Sequence, residues 1–337
     1  MVDIDEWVSR GTLDAIALAS FGVDFNSIAE PGSELVTKYR TAFMPGKSAG
    51  RIRILAHFVP IKILFNLPMK RNRAAKACIQ AVRSEIRRVV EQRRSNKSTA
   101  KDILGTIMES PEFAEDEQIV SQCMAFLAAG HEASALALGW TLYELSKDPE
   151  RQQKLRSEVR GTLPAPDSDS PINVEKVDSL PYLEAVVKES LRFWGPVPRQ
   201  TRISNVPTIV SGHQIPPQTP LVLSFYAMNR STDNWGPDAG IFRPERWMGS
   251  NEARTYGGSK DRYSFSPFSH GARSCIGQKF AHYEILIFLA ALVGRFDWSF
   301  VDKEGLPLGM VKADHDTTVM LKIEDGLQLR AKTVGGW

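Results

Sequence analysis

The sequence predicts a mainly α-helical fold with a minor β component, on three observations. Segments with the apolar period of a helix follow one another along most of the chain. One of them, from Met124 to Leu138, is apolar on every side, which places it through the middle of a protein rather than on its surface. The stretches that read as strands are few and short: Thr208 to Ile215, Leu221 to Phe225 and Val319 to Ile323.

Taken in order, Asp5 to Phe21 has helical period and ends at Gly22, where the chain can turn. Glu34 to Met44 reads as a second helix, stopped by Pro45 and Gly46. Ile52 to Leu67 is unusually apolar, broken at Pro60 and carrying Arg53 and Lys62. It is either a buried loop or core helix, or an interfacial segment whose cations reach lipid headgroups. Arg71 to Arg94 is a long basic helix whose charges form a solvated face. Ser95 to Ala100 is a polar linker, and Asp102 to Met108 a short helix ended by Ser110 and Pro111. Glu117 to Ser146 is the longest predicted helix, followed by Pro149 to Arg160 and an exposed loop from Pro164 to Pro171. Asp178 is placed to N-cap a helix from Leu180 to Trp194. Gly195 to Gln200 carries too much proline to continue it, and Gln278 to Gly294 forms the last helix. Neither internal repeats nor low-complexity tracts occur.

The 337 residues, 42% hydrophobic and 24% charged, suffice for one large domain with a sizeable core. A formal net charge of +3 is too small and too scattered for a nucleic-acid-binding stripe, yet permits docking of an acidic protein. Three scattered cysteines argue against a disulfide framework and for a reducing compartment. The N-terminal M-V-D-I-D-E-W-V-S-R has the features of neither a signal peptide nor an anchor. No stretch reaches the roughly 20 apolar residues of a spanning helix.

The sharpest signal is F-S-H-G-A-R-S-C-I-G, Phe268 to Gly277, running into the last helix. Its fixed positions Phe268, Gly271, Arg273, Cys275 and Gly277 would coincide by chance in on the order of one chain in ten thousand. Gly271 and Gly277 let the backbone lie against a flat group where a Cβ would intrude. Cys275 precedes a helix whose free N–H groups, at Ile276, Gly277 and Gln278, favour a sulfur anion. Arg273 adds a cation suited to a carboxylate, and Phe268 can shield the sulfur. Cys275 is otherwise a small buried hydrophobe. A zinc site lacks partners, since Cys78 and Cys123 are not spaced as ligands and only His270 and His282 are near in sequence.

This loop resembles the haem-binding loop of the cytochrome P450 family, most closely its fungal, microsomal-type members. Three further stretches carry the resemblance. A-A-G-H-E, ending at Glu132, is similar to the family's oxygen-binding helix; the threonine that usually follows is here Ala133, then Ser134. From the residues alone, Gly130 could mark a tight helix crossing with Glu132 reaching solvent, or a notch beside a ligand. K-E-S-L-R resembles the family's E-x-x-R signature, and F-R-P-E-R-W, Phe242 to Trp247, its partner. The helical wheel alone puts Glu189 and Arg192 opposite the apolar stripe, as a solvated pair. The resemblance instead implies a buried Glu189-Arg192-Arg246 network behind the cysteine loop. Arg202 matches a position that binds a haem propionate in many relatives, and could equally be an ordinary strand-edge arginine.

By resemblance the chain is one cytochrome P450 domain, 1–337, lacking the family's N-terminal helices and strands. Haem b is implied, with Cys275 as axial ligand and Phe268, Gly271, Arg273, Gly277 and Arg202 around it. Gly130, Glu132, Ala133 and Ser134 would serve dioxygen. Phe126, Ala129, Val197, Pro198 and Asp314, the last in a hairpin tip at Val311 to Asp316, would meet substrate. The implied reaction is monooxygenation of a small apolar organic molecule, in secondary metabolism or in lipid or xenobiotic oxidation. Electrons would come from NADPH through a flavoprotein reductase. The place would be the cytosolic face of the endoplasmic reticulum, with peripheral membrane contact through Ile52 to Leu67. The alternatives are a rearranging or epoxidising haem-thiolate enzyme, motivated by Ala133, and a non-catalytic shortened product.

Overall fold

The structure, a computed structural model, describes residues 1–43, 61–96, 100–113, 115–165, 168, 170–300, 313–314, 320–323 and 326–337. It divides into two compact units, one of residues 5–135 with 316–318, the other of residues 1–4, 136–315 and 319–337.

The unit of residues 5–135 is helical. Helix α1 (Ile4–Phe21) buries Val8, Thr12, Leu13, Ile16, Ala17 and Phe21, a stripe at helical spacing. It stops where Gly22 takes a φ of +65°, which glycine adopts without steric cost. Then come α2 (Glu34–Phe43), α3 (Ile61–Asn66) and α4 (Lys70–Ser95). The basic helix α4 buries Val82, Ile86 and Val90 in one line. Its Arg83 and Arg87 lie on the wet face and reach Glu117 of α6 (Asp116–Ser146). Asp102 caps α5 (Ile103–Glu109) through the Gly105 N–H at 2.8 Å and pairs with Arg93 at 2.7 Å. Of the apolar segment from Ile52, residues 52–60 lie outside the described residues; beyond them Leu64 is buried while Ile63, Phe65 and Leu67 are exposed.

In the other unit, residues 136–146 of α6 are buried on every side, and of the stretch from Met124 to Leu138 expected to be so, residues 136–138 agree. The expectation does not hold further up the helix: Ala125 and Ala129 are exposed, and Phe126, Glu132 and Ala133 half-buried. Ala125, Ala129, Glu132 and Ala133 share one face of the helix; that face is open while the others pack.

Helix α7 (Pro149–Thr162) is capped by Asp148, and a short α8 (Val174–Asp178) leads to α9 (Pro181–Trp194). Asp178 does not cap α9. It closes α8 and accepts a hydrogen bond from the Tyr283 hydroxyl at 3.1 Å. With Leu180 at the N-cap and Pro181 first in the helix, the free N–H groups of Tyr182 and Leu183 bond instead to both carboxylate oxygens of Glu158, at 2.9 and 2.8 Å. A charged cap at a helix N-terminus stabilises by about 1–2 kcal/mol. Glu158→Ala should lower the unfolding free energy by that amount in urea titration, whereas Asp178→Ala should cost less.

The β component is antiparallel. Strand β1 (Val2–Asp3) pairs with β9 (Gln328–Thr333), which pairs with β6 (Phe296–Phe300). Strand β2 (Arg199–Ile203) pairs with β5 (Pro220–Ser224), and β7 (Ala313–Asp314) with β8 (Lys322–Ile323). Thr208 to Ile215 is two strands rather than one, β3 (Thr208–Val210) and β4 (His213–Ile215). Ser211 and Gly212 form a turn at φ of +48° and +81°, and such a pair of left-handed residues is the tight hairpin connection. Phe225 does not end β5 but opens the one-turn helix α10 (Phe225–Met228), followed by α11 (Thr232–Trp235) and α12 (Asn251–Tyr256). The last helix, α13 (Gln278–Arg295), starts directly behind the cysteine loop.

Candidate functional site

Glu189 and Arg192 are both fully buried, against the reading of the helical wheel. The Glu189 carboxylate accepts from Arg192 Nε and Nη2 at 2.9 and 2.8 Å, and from Arg246 Nε at 3.0 Å. The Trp247 indole N–H at 2.9 Å and the Arg243 backbone N–H at 2.7 Å complete its shell. Arg192 also donates to the carbonyls of Asn229, Ala239 and Ile241 at 2.6, 2.8 and 3.0 Å. Asp238 faces Arg246 at 3.4 Å and pairs more closely with the half-exposed Arg243, at 2.7 Å.

The network reaches the cysteine loop through aromatic packing. Trp247, held at its N–H by Glu189, lies with its ring 4.6 Å from that of Phe265. Phe265 is three residues ahead of Phe268, and the intervening turn is fixed by Ser269 N–H to Ser266 carbonyl at 3.1 Å. Ser269 sits at a φ of +61°, a left-handed conformation that costs a residue with a Cβ about 1 kcal/mol. The Cys275 N–H then returns to the Phe268 carbonyl at 2.8 Å, closing the loop.

Within it Phe268 is half-buried and Cys275 exposed. Gly271 adopts a φ of +75° with open space where a Cβ would stand, and the nearest atom to a Cβ on Gly277 is Cys275 Sγ at 4.0 Å. Arg273, exposed, pairs with no carboxylate among the described residues. Among the described residues Arg202 bonds to neutral oxygens alone, Gln200 Oε1 at 2.8 Å and Thr201 carbonyl at 3.2 Å.

The other thiols differ. Cys123 is fully buried, and burial pushes its thiol up to about 12. Cys78 is half-buried. His282 is engaged with Glu184 at 2.9 Å, and His270 packs edge-on against Tyr263. No cluster of histidine, cysteine and acidic residues among the described residues could hold an ion by itself. An exposed thiol, two glycines and two arginines that lack acidic partners among the described residues suit a flat anionic cofactor whose metal takes one protein ligand. Zinc would need three or four ligands.

In the other unit, Gly130 lies at a helix crossing. A Cβ there would stand 2.5 Å from Cγ1 of Ile16 on α1. Gly130→Val should therefore cost about 1–3 kcal/mol from overpacking, read by thermal melting, with partial recovery when Ile16→Ala is added. His131 is buried, its Nδ1 2.8 Å from the Tyr39 hydroxyl and its carbonyl accepting from Thr12 at 3.1 Å. Burial, with the charge of Glu132 adding to it, pushes the Tyr39 hydroxyl upward. Ser134 is 2% exposed and its Oγ has no hydrogen-bond partner among the described residues; it points away from the open face that carries Ala133.

Val197 and Pro198 are half-buried, in a segment pinned by Leu321 N–H to Pro196 carbonyl at 2.7 Å and Tyr226 N–H to Pro198 carbonyl at 3.0 Å. Asp314 lies in β7, whereas the rest of the hairpin tip, at 311–312 and 315–316, lies outside the described residues. Sequence reasoning missed Gln200, Trp247 and Phe265 as parts of the site. Only the tryptophan, inside the F-R-P-E-R-W stretch, gave any local signal.

A mainly helical fold with a cysteine loop opening a long helix, backed by a buried Glu-Arg-Arg network, defines a haem-thiolate protein class. Comparison with known proteins gives the family. The cytochrome P450 family model matches residues 1–324. The chain is 37% identical to the cytochrome P450 monooxygenase sphH of Aspergillus fumigatus, over 100% of this chain and 62% of that protein. It is 33% identical to the cytochrome P450 monooxygenase FSL4 of Gibberella zeae, over 100% of this chain and 63% of that one. The crystal structure of the cytochrome P450DA haem domain superposes with a TM-score of 0.80 at 25% identity, covering 99% of this chain and 68% of that one. The protein belongs to the cytochrome P450 family. It spans about three fifths of the length of these curated relatives.

Proposed function

We propose that residues 1–337 form part of a haem-thiolate monooxygenase domain acting on a small apolar organic substrate, in secondary metabolism or in lipid or xenobiotic oxidation. The observation that carries this is the cysteine loop: an exposed thiol between glycines, with Arg273 and Arg202 free of acidic partners among the described residues.

Haem b, when bound, supplies activation of dioxygen and insertion of one oxygen atom into the substrate, with electrons from NADPH through a flavoprotein reductase. Cys275 would hold the iron through its sulfur, and a thiolate there would supply electron density to the metal. Arg273 and Arg202 would neutralise the propionates. Phe268 keeps water from the sulfur, and Gly271 and Gly277 let the loop approach the ring plane. The Glu189-Arg192-Arg246 network holds the loop through Trp247 and Phe265. On α6, Ala129 and Ala133 keep the open face small, with Phe126 beside them; Gly130 sets the helix crossing and Glu132 brings a carboxylate for proton movement. Substrate also meets Val197, Pro198 and Asp314.

Ala133 offers no hydroxyl, and the Ser134 hydroxyl is turned inward. Proton delivery then falls to water beside Glu132, or the enzyme runs chemistry with less need of it. The latter favours a second reading, a rearranging or epoxidising haem-thiolate enzyme. The exposed Ile63, Phe65 and Leu67 suit peripheral contact with a membrane, at the cytosolic face of the endoplasmic reticulum; among the described residues no helix is long and apolar enough to cross one.

The test is the ferrous carbon-monoxide difference spectrum of the purified chain with added haem, then turnover with reductase and NADPH against turnover with a hydroperoxide. A thiolate-type band with reductase-dependent product supports the monooxygenase. Turnover with hydroperoxide alone moves the conclusion to the second reading, and no haem uptake removes both.

A further inference from the structure

We propose that Gln200 is a positioning residue, whose side-chain amide holds Arg202 and the cysteine loop in register. This rests on the haem-thiolate reading above. Residues alternate faces along a strand, so Gln200 and Arg202 point to the same side of β2, and both are half-buried while Arg199, Thr201 and Ile203 are exposed. The Gln200 Oε1 accepts two hydrogen bonds at once: Arg202 Nη2 at 2.8 Å from its own strand, and Ser269 Oγ at 3.1 Å from the cysteine loop.

The second bond falls where the loop most needs a hold. Ser269 is the loop's non-glycine residue in the left-handed region, and it sits between Phe268, whose carbonyl receives the Cys275 N–H, and the turn that carries Gly271 and Arg273. One neutral acceptor thus links the loop presenting the thiol to the strand presenting a second cation. Neutrality matters as much as reach. A carboxylate at position 200 would accept both bonds and also pair with Arg202, consuming the charge that the proposal assigns to a propionate. An amide fixes the guanidinium and leaves its charge available.

The experiment compares the 337-residue chain with Gln200→Leu, Gln200→Glu and Ser269→Ala by two readouts. The first is amide hydrogen exchange across residues 264–277 without haem. The second is haem affinity by absorbance titration, with the carbon-monoxide band recorded at saturation. Gln200→Leu and Ser269→Ala should each speed exchange in the loop. Each should weaken haem binding by roughly 10–100-fold, the range seen when the partner of a metal ligand is removed, and the double variant should lose little more than either alone. Gln200→Glu should keep exchange slow yet still bind haem more weakly, a split that a merely structural hydrogen bond would not produce.

Unchanged exchange in Gln200→Leu overturns the proposal. So does full haem affinity in Gln200→Leu, or loop exchange that speeds up as affinity falls in Gln200→Glu. A wild-type chain that takes up no haem overturns the haem-thiolate reading and this one with it. Uptake by wild type that all three variants match overturns the positioning role alone.

Discussion

Glu189→Ala should unfold this protein or bring it to the edge of unfolding, with a loss of about 3–5 kcal/mol or more. The carboxylate is wholly buried and accepts from Arg192, Arg246, Trp247 and the Arg243 backbone. Its removal leaves two guanidinium groups facing each other in a dry interior, with Asp238, itself partly exposed, the nearest remaining anion. Against the 5–15 kcal/mol that ordinarily separates folded from unfolded chains, this is most of the margin. Glu189→Gln should do nearly as much harm, because the amide turns two of its four acceptor sites into donors aimed at other donors.

A buried ion cluster can sometimes be replaced whole by apolar side chains without loss. That should fail here, because Arg192 also satisfies the carbonyls of Asn229, Ala239 and Ile241. Glu189→Leu with Arg192→Leu and Arg246→Met would orphan all three. Urea unfolding of the single and triple variants decides the point: a single variant within 1 kcal/mol of wild type, a threshold of about the net worth of one hydrogen bond, would show that the network is dispensable.

The same residues show what the sequence could and could not reveal. Glu189 and Arg192 stand at i, i+3, so their pairing was legible locally. Their burial was not, because the cover is supplied by Asn229 to Trp247, about fifty residues on, whose carbonyls and indole close over the wet side of α9. Only the resemblance pointed the right way there. The failed cap has a similar cause: Asp178 is well placed in sequence, but the competing carboxylate of Glu158 arrives from α7. The hairpin at Ser211 and Gly212 was missed although the dipeptide is itself a turn signal. The open face of α6 could not be read from composition, since alanines at 125, 129 and 133 look apolar whether or not anything packs on them. The cysteine loop was legible because its ten residues are contiguous. Gln200 was invisible because its partner is sixty-nine positions away.

Cys275→Ala should abolish the thiolate-type carbon-monoxide band and all reductase-driven turnover, while Cys78→Ala and Cys123→Ala leave both in place. The three thiols are separated by exposure before any cofactor is considered. Cys275 is open to solvent, Cys78 is half-buried, and Cys123 is enclosed, its thiol held protonated by a pKa near 12. A thiol must ionise and be reachable to bind a metal, so Cys123 is unsuited however close it comes.

The geometry also orders their chemistry. In the free chain a maleimide should modify Cys275 first, Cys78 more slowly and Cys123 only on unfolding, and added haem should protect Cys275 alone. The alanine variant should fold as well as wild type, because an exposed side chain contributes little to the core; its urea midpoint separates loss of a ligand from loss of structure. Cys275→His offers a positive control, since imidazole can hold the metal but lacks the electron release of a thiolate: haem should stay bound while the band moves and oxygen insertion stops. A thiolate-type band that survives in Cys275→Ala, or haem that protects Cys78 instead, would place the ligand elsewhere. The glycine-flanked loop would then be left with a structural role only.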